Sequence, residues 1–160
     1  MVAEGCMKDI EEVYGYHNIP NFDEGDIRVC EGPFFARVTV VEITVKGQGG
    51  HGSAPHKLRD PITAASMVHQ ALNSIKSRNI DSRQNIVFTI CNFSAGHTYN
   101  VFPDEAIMKG TIRSYDDATL EVMKTRITKI ATSVAEGFDC EAVVNLIDMY
   151  PAVCNAPEPT

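Results

Sequence analysis

Four segments between residues 37 and 148 have the composition and alternation of β-strands. Apolar side chains occupy every second position late in residues 37–46, the period of a half-buried strand: Val41, Ile43 and Val45. Val38 and Val40 have the opposite phase, so we expect a bulge or twist near residue 40. Three further β-rich runs predict the remaining strands: residues 85–93, 105–114 and 140–147.

Two other segments have the three- and four-residue spacing of amphipathic helices. Asp60 and Pro61 predict the start of the first helix, because Asp caps free amides and Pro fits the first helical position. Its predicted core positions are Ile62, Ala65, Val68, Leu72 and Ile75. Asp116 and Asp117 predict the start of the second helix, and Gly137 its end. Its apolar positions are Leu120, Met123, Ile127, Ile130 and Val134.

The element order over residues 37–148 is therefore β-α-β-β-α-β. This order predicts an α+β fold of the ferredoxin-like type, a four-stranded antiparallel sheet with two helices on one face. The other face and an edge strand would lack a partner, and an edge rich in Val, Ile and Phe needs cover. We therefore expect a homodimer.

The two ends of the chain differ from this central domain. Residues 1–36 contain no periodic run long enough to bury a face, and prolines and glycines interrupt them. We expect an arm that is poorly ordered or pairs with the edge of a neighbouring chain. Residues 149–160 include Tyr150-Pro151 and a polar, proline-containing tail, which is typical of a linker.

Composition excludes several classes of function. The net charge of −7 disfavours binding to nucleic acid or to an anionic membrane surface. The sequence has neither a basic, apolar leader nor an apolar run of membrane-spanning length. The five cysteines are odd in number and scattered, which favours reduced thiols and a cytoplasmic location. We expect Cys91 and Cys140 to lie in the core.

The histidines are the first candidates for chemistry. His69 falls on the first helix and is expected at its surface or boundary, whereas four others lie in predicted turns: His17, His51, His56 and His97. The segment GQGGHGSAPH (47–56) surrounds His51 with glycines, so a substrate could approach its backbone closely. A phosphate loop is disfavoured because no Lys-Ser/Thr pair follows. A flexible connection with incidental histidines is the structural alternative. Zinc binding by His51, His56 and cysteines is also disfavoured, since no ligand spacing converges.

Three blocks together carry a family resemblance: YGYHNIP, GQGGHGSAPH and NVFPDEAIMKGTIRS, in this order. They resemble the aminoacylase and carboxypeptidase family of metallopeptidases, and most closely its hippurate hydrolase and auxin-conjugate amidohydrolase branch. The likeness extends from about residue 1 to residue 159 and includes YPAVCNAPE. It implies residues 1–36 as a fragment of a metal-binding catalytic domain, 37–148 as a lid and dimerisation domain, and 149–160 as a linker back to the catalytic domain.

The resemblance also implies roles for individual residues. His17 matches a ligand of one of two divalent metal ions, zinc or manganese. His51 matches a lid histidine that polarises the scissile carbonyl in the partner's active site. Asn100 and Arg113 match lid residues that hold the substrate and its free carboxylate. The structural alternatives are that Asn100 only caps a turn and that Arg113 lies on a solvated strand face.

The same resemblance implies an incomplete catalytic apparatus. The family's glutamate pair, which includes the general base, and a late histidine ligand have no counterparts in this sequence. We therefore expect the chain alone to hold no metal stably and not to hydrolyse amide bonds. The role of His97 is undetermined. The alternative function is a stand-alone dimeric ferredoxin-like module that binds a small molecule or regulates a partner, and a coding sequence with no upstream glutamate pair would favour it.

Overall fold

Four long strands and two long helices form the central part of the computed structural model, which describes residues 2–158. The strands are β1 (Gly32–Phe35), β2 (Arg37–Lys46), β3 (Gly50–His51), β4 (Ile86–Ala95), β5 (Val101–Phe102), β6 (Glu105–Ser114), β7 (Glu141–Asp148) and β8 (Val153–Asn155). The α-helices are α1 (Pro61–Leu72), α2 (Ile75–Asn79) and α3 (Asp117–Glu136). Short 3₁₀ helices cover Val2–Glu4 and Pro55–Lys57.

The main sheet has the strand order β4-β6-β2-β7, and every neighbouring pair is antiparallel. With α1 and α3 packed on one face, this is the predicted ferredoxin-like sandwich, so the fold prediction is confirmed. Of the bulge or twist predicted near residue 40, the bulge does not occur, because β2 pairs continuously with β6 from Arg37 to Lys46. The irregularity lies instead in β4, between Ile90 and Asn92. A central strand paired on both sides leaves no place for an extra residue, whereas an edge strand accommodates one.

The core lies between the sheet and the helices. Thr39, Val41, Ile43 and Val45 are fully buried along β2. The buried face of α1 consists of Pro61, Ala64, Ala65, Val68 and Leu72. Ile62 was predicted as a core residue, but 39% of its surface is exposed. The prediction is wrong because the buried face of α1 is centred on Ala64, Ala65 and Val68, which leaves Ile62 at its flank.

The predicted starts of both long helices, at Asp60 and Asp116, are confirmed. The Asp60 carboxylate accepts a hydrogen bond from the backbone N–H of Ile62 at 2.8 Å, with Pro61 at the first helical position. The Asp116 carboxylate accepts from the backbone N–H of Thr119 at 2.7 Å, and hydrogen bonds from Thr119 lower the pKa of this carboxyl. These caps fix where both long helices begin.

One polar network joins the sheet to α3. The buried Thr39 hydroxyl donates to Asp148 Oδ1 at 2.6 Å, and Lys124 Nζ donates to Asp148 Oδ2 at 2.7 Å. The hydrogen bond from Lys124, followed by that from Thr39, lowers the pKa of Asp148. The network satisfies the hydroxyl that β2 buries among apolar residues.

The cysteines and the N-terminal arm depart in part from expectation. All five cysteines are unpaired. Cys140 is buried as predicted, but Cys91 is exposed, because it is the extra residue at the irregularity of edge strand β4. The last part of the arm, β1, pairs with β8 of the same chain. Within residues 2–158, no helix has the length and apolar character required to cross a bilayer.

Candidate functional site

A two-stranded ribbon beside the main sheet carries the central candidate residue. It consists of β3 and β5, which we call the histidine ribbon, and it pairs Gly50 with Phe102 and His51 with Val101. The Gly52 N–H donates to the Asn100 carbonyl at 2.8 Å and extends the ribbon by one more bond. The ribbon therefore brings the glycine-rich segment against the turn that connects β4 to β6.

The glycines of this segment are required by close backbone approach. The Gly49 N–H donates to Asp104 Oδ1 at 2.9 Å, and the Gly47 N–H donates to the Asp104 carbonyl at 2.8 Å. A Cβ atom at Gly49 would lie 2.4 Å from the Phe102 carbonyl oxygen. A Cβ atom at Gly47 would lie 2.1 Å from the Arg59 carbonyl oxygen. Asp104 thus fastens the base of the histidine ribbon, and only glycine permits the fit.

His51 projects from the ribbon with an exposed side chain. Its Nδ1 atom lies 2.8 Å from the Ser53 hydroxyl oxygen and 3.2 Å from the Ser53 backbone nitrogen. The ring is therefore presented at the surface and is not a member of the hydrophobic core. An imidazole that contacts a ligand outside its own domain must be exposed in this way.

Asn100 lies immediately before β5, next to the histidine segment. Its side chain is exposed, and its Oδ1 atom accepts a hydrogen bond from the Thr98 hydroxyl at 3.3 Å. This hydrogen bond uses only the acceptor Oδ1 and leaves the side-chain amide Nδ2 available as a donor. The structure therefore places Asn100 at the histidine ribbon, opposite Gly52 and one residue along from the pair of His51 with Val101.

Arg113 lies at the other end of the domain. It occupies the penultimate position of β6, is exposed, and pairs with Val38 and Val87 in the adjacent strands. The eight steps from Glu105 to Arg113 span roughly 27 Å at about 3.4 Å per residue. A single chain therefore does not bring Arg113 to the same site as His51.

His17 lies in the exposed N-terminal arm. Its ring centroid is 5.4 Å from that of Phe35, and its Nδ1 atom lies 2.8 Å from the Asn18 carbonyl oxygen. Since a carbonyl oxygen can only accept, Nδ1 carries the proton and Nε2 keeps its lone pair for another partner. A histidine that ligates a metal commonly has this arrangement.

The remaining ligands of a metal site are not found in the described chain. Within residues 2–158, no three His, Cys, Asp or Glu side chains form a group that could hold a metal ion. His17 is therefore a single potential ligand, whereas a stable site requires three or four. The described residues alone do not fit a metal centre.

Sequence reasoning missed the residues that support His51. Ser53 lies within the glycine-rich segment and Asp104 within NVFPD, yet neither was assigned a role. A short polar residue two positions after a histidine was the available signal for Ser53. Asp104 had no comparable signal, because its contact with Gly49 joins residues 55 positions apart. His56 and His97 are exposed and lie outside these contacts.

Comparison with known proteins identifies relatives of the whole domain. Residues 38–139 match the peptidase dimerisation domain of the M20 family. The chain is 36% identical over 155 residues to N-acetylcysteine deacetylase of Bacillus subtilis, covering 97% of the chain and 41% of that protein. It is 37% identical over 160 residues to hippurate hydrolase of Campylobacter jejuni, covering 99% and 42%. The chain therefore spans about two fifths of the length of these curated relatives.

Solved structures give the same result. The Bacillus subtilis YXEP protein, described as a dinuclear metal-binding peptidase of the M20 family, superposes with a TM-score of 0.65 at 29% identity. That match covers 88% of the chain and 34% of the YXEP chain. A protein of methicillin-resistant Staphylococcus aureus gives a TM-score of 0.74 at 29% identity, covering 81% of the chain and 33% of that chain.

Proposed function

The chain belongs to the M20 peptidase dimerisation-domain family, and from this premise we propose that it is the dimerisation and lid part of a metal-dependent amidohydrolase. The proposed substrates are N-acyl amino acids or small peptides, in keeping with relatives named N-acetylcysteine deacetylase and hippurate hydrolase. The observation that carries the proposal is the exposed His51 on a ribbon fastened by Asp104. We further propose a cytoplasmic location, on the basis of the free thiols.

The pairing of β1 with β8 supports the proposed division of the chain. Residues 37–148 form the lid and dimerisation domain, and residues 1–36 and 149–160 lead to a catalytic domain. Support comes from β1 and β8, which pair side by side directly before and shortly after the lid domain. Because both connections leave the lid at one place, they suit attachment to a single second domain.

We assign the dimer contact to the free edge of β4 and the adjoining flank of α1. Phe93 on β4 is 41% exposed, and the His69 ring on α1 lies 6.2 Å from the Phe93 ring. Ile62 lies on the same flank as His69, two helical turns earlier, and is 39% exposed. An unpaired strand edge beside exposed apolar side chains is a favourable surface for a second copy.

The dimer is tested by light scattering coupled to size-exclusion chromatography. We expect the 160-residue chain to elute as a dimer and Phe93→Asp to elute as a monomer, because a carboxylate would be buried without a partner. Val122→Asp on α3 is the matched control, since Val122 is 43% exposed on a helix that packs over β7 rather than β4. A wild-type monomer, or equal dissociation of both variants, would contradict the proposed surface.

In the proposed mechanism His51 donates a hydrogen bond to the substrate's carbonyl oxygen as negative charge develops there. Arg113 offers a planar guanidinium for the free carboxylate of the substrate. Because Arg113 lies roughly 27 Å along β6 from Glu105, at the end remote from the histidine ribbon, we propose that His51 and Arg113 act in different active sites of the dimer. His51 and Asn100 reach the partner's site, and Arg113 serves its own.

The proposed cofactor is a pair of divalent ions, zinc or manganese, in the complete enzyme, which would activate the attacking water. His17 is the one ligand that this chain would contribute, through Nε2. All other ligands and the general base would come from a catalytic domain of the kind that the longer relatives carry. We therefore propose that the 160-residue chain does not hydrolyse amides alone.

The activity is tested by following amino acid release from N-acyl amino acids. We expect none from the 160-residue chain, and chelator-sensitive release when the chain is joined to a catalytic domain. His51→Ala in the joined enzyme should lower kcat by about 10²–10³, the usual effect of losing a donor to the oxyanion. His56→Ala in the same loop is the matched control and should change kcat little. Chelator-sensitive release by the chain alone would refute its dependence on a catalytic domain.

A further inference from the structure

Two hydrogen bonds reach the same ring nitrogen of His51. The Ser53 hydroxyl oxygen lies 2.8 Å from Nδ1, and the Ser53 backbone nitrogen lies 3.2 Å from it. A backbone N–H can only donate, so Nδ1 must accept. In the neutral ring the proton then resides on Nε2, at the side of the ring directed away from Ser53.

We propose that Ser53 is a positioning residue that fixes both the tautomer and the rotation of the His51 ring. This inference rests on the proposed function, in which His51 must present an N–H to the carbonyl oxygen of a substrate. A ring with the other tautomer would present a lone pair at Nε2, which repels a developing oxyanion. Ser53 therefore determines whether His51 acts as a donor.

The local backbone supports this role. The Ala54 N–H donates to the His51 carbonyl at 2.9 Å, and the Gly52 N–H donates to the Asn100 carbonyl at 2.8 Å. The turn that follows His51 is thereby held at both sides of the Ser53 amide. The amides of Gly52 and Ala54 thus donate to backbone carbonyls, whereas the Ser53 amide between them donates to the His51 ring.

Two other histidines provide contrasts within the same chain. His17 has the opposite arrangement, with its Nδ1–H donated to the Asn18 carbonyl at 2.8 Å. His56 lies five residues after His51 in the same exposed loop, and among the hydrogen bonds of residues 2–158 its ring has none. Nδ1 therefore accepts in His51 and donates in His17, whereas the His56 ring is unconstrained. All three rings can be compared in one sample.

The test is long-range ¹⁵N–¹H NMR of the histidine rings in the 160-residue chain, at about pH 8 where imidazoles are neutral. We expect His51 to show the Nε2–H pattern alone, with Nδ1 shifted as a hydrogen-bond acceptor, and His56 to show the averaged pattern of a free ring. Ser53→Ala removes the shorter hydroxyl contact but keeps the backbone N–H, so it should move the His51 Nδ1 signal part of the way toward that of His56, and Ser53→Thr should retain the signal. A His51 spectrum that matches His56, or one that Ser53→Ala leaves unchanged, would overturn the inference.

A kinetic measurement separates this inference from the proposed function. In the chain joined to a catalytic domain, Ser53→Ala should lower kcat by about two- to tenfold, the usual effect of one neutral hydrogen bond. KM should remain unchanged, because the ring acts on charge that appears only in the transition state. An inactive joined enzyme with the expected NMR spectrum refutes the proposed function alone. An active enzyme whose kcat is insensitive to Ser53→Ala refutes the positioning role alone.

Discussion

Substitution of Gly49 by alanine is the sharpest perturbation of the histidine ribbon. The added Cβ atom would lie 2.4 Å from the Phe102 carbonyl oxygen, 2.9 Å from the Pro103 carbonyl carbon and 3.1 Å from Asp104 Oδ1. Ordinary contact begins at 3.4 Å, so the strands would have to separate by about 1 Å. That movement also pulls the Gly49 N–H away from the Asp104 carboxylate, which it now meets at 2.9 Å.

The magnitude follows from these two losses. Overpacking of this kind costs about 1–3 kcal/mol. The lost charge-assisted hydrogen bond adds about 1.5 kcal/mol, the low end of its range, because the group is exposed. We therefore expect a total of about 2.5–4.5 kcal/mol. Because the ribbon contains only two residue pairs, it opens locally when the strain exceeds its own stability, and the main sheet is spared.

Native-state hydrogen exchange measures this opening. The Gly52 amide, bonded to the Asn100 carbonyl, should exchange at least about thirtyfold faster in Gly49→Ala, which corresponds to about 2 kcal/mol. The Ile43 amide at the centre of the sheet should change little. Gln48→Ala is the control in the same segment, since it keeps the backbone pairing of Gln48 with Arg59. Unchanged exchange at Gly52, or equal acceleration in Gln48→Ala, would refute the close-approach argument.

Three further predictions concern the scaffold. Ile43→Ala should lower the free energy of unfolding in urea by about 2–5 kcal/mol, whereas Ile62→Ala should cost less, because 39% of its surface is already exposed in the single chain. Asp60→Ala should cost about 1 kcal/mol, measured in the same way, through loss of the helix cap. Since Lys124 lowers the pKa of Asp148 in the folded chain, the stabilisation is complete above about pH 4 and is lost as pH falls through the lower folded value. Asp148→Asn should therefore flatten the acid limb of a stability–pH curve, and an unchanged limb would contradict this linkage.

The sequence determined the elements of the fold because their signals are local. The β2 alternation, the caps at Asp60 and Asp116, and the end of α3 at Gly137 depend on residues within a few positions of each other. The element order then left the ferredoxin-like sandwich as the expected arrangement. The four long strands and α3 were predicted with boundaries within about two residues of those observed, the usual spread at element ends. The first helix was predicted to extend through Ile75, but α1 ends at Leu72 and Ile75 begins the separate helix α2.

Tertiary packing decided which periodic positions are buried. Ile62 and Ala64 are both compatible with an apolar stripe, but only the docking of α1 on the sheet buries Ala64 and leaves Ile62 partly exposed. Cys91 likewise lies in an apolar run, and the irregularity of edge strand β4 turns it outward. The periodicity of apolar residues indicates only approximately which face of an element is buried. The distance and angle at which the neighbouring element packs decide the exact set of buried residues.

For the candidate site, the sequence by itself provided the residue types: an imidazole among glycines, an asparagine in a turn and an arginine on a strand. Only the tertiary structure brought His51 beside Asn100, separated Arg113 from both, and joined Gly49 to Asp104 across 55 positions. The physical reason is that a motif specifies side-chain chemistry, whereas distances between remote segments arise when strands pair and helices pack.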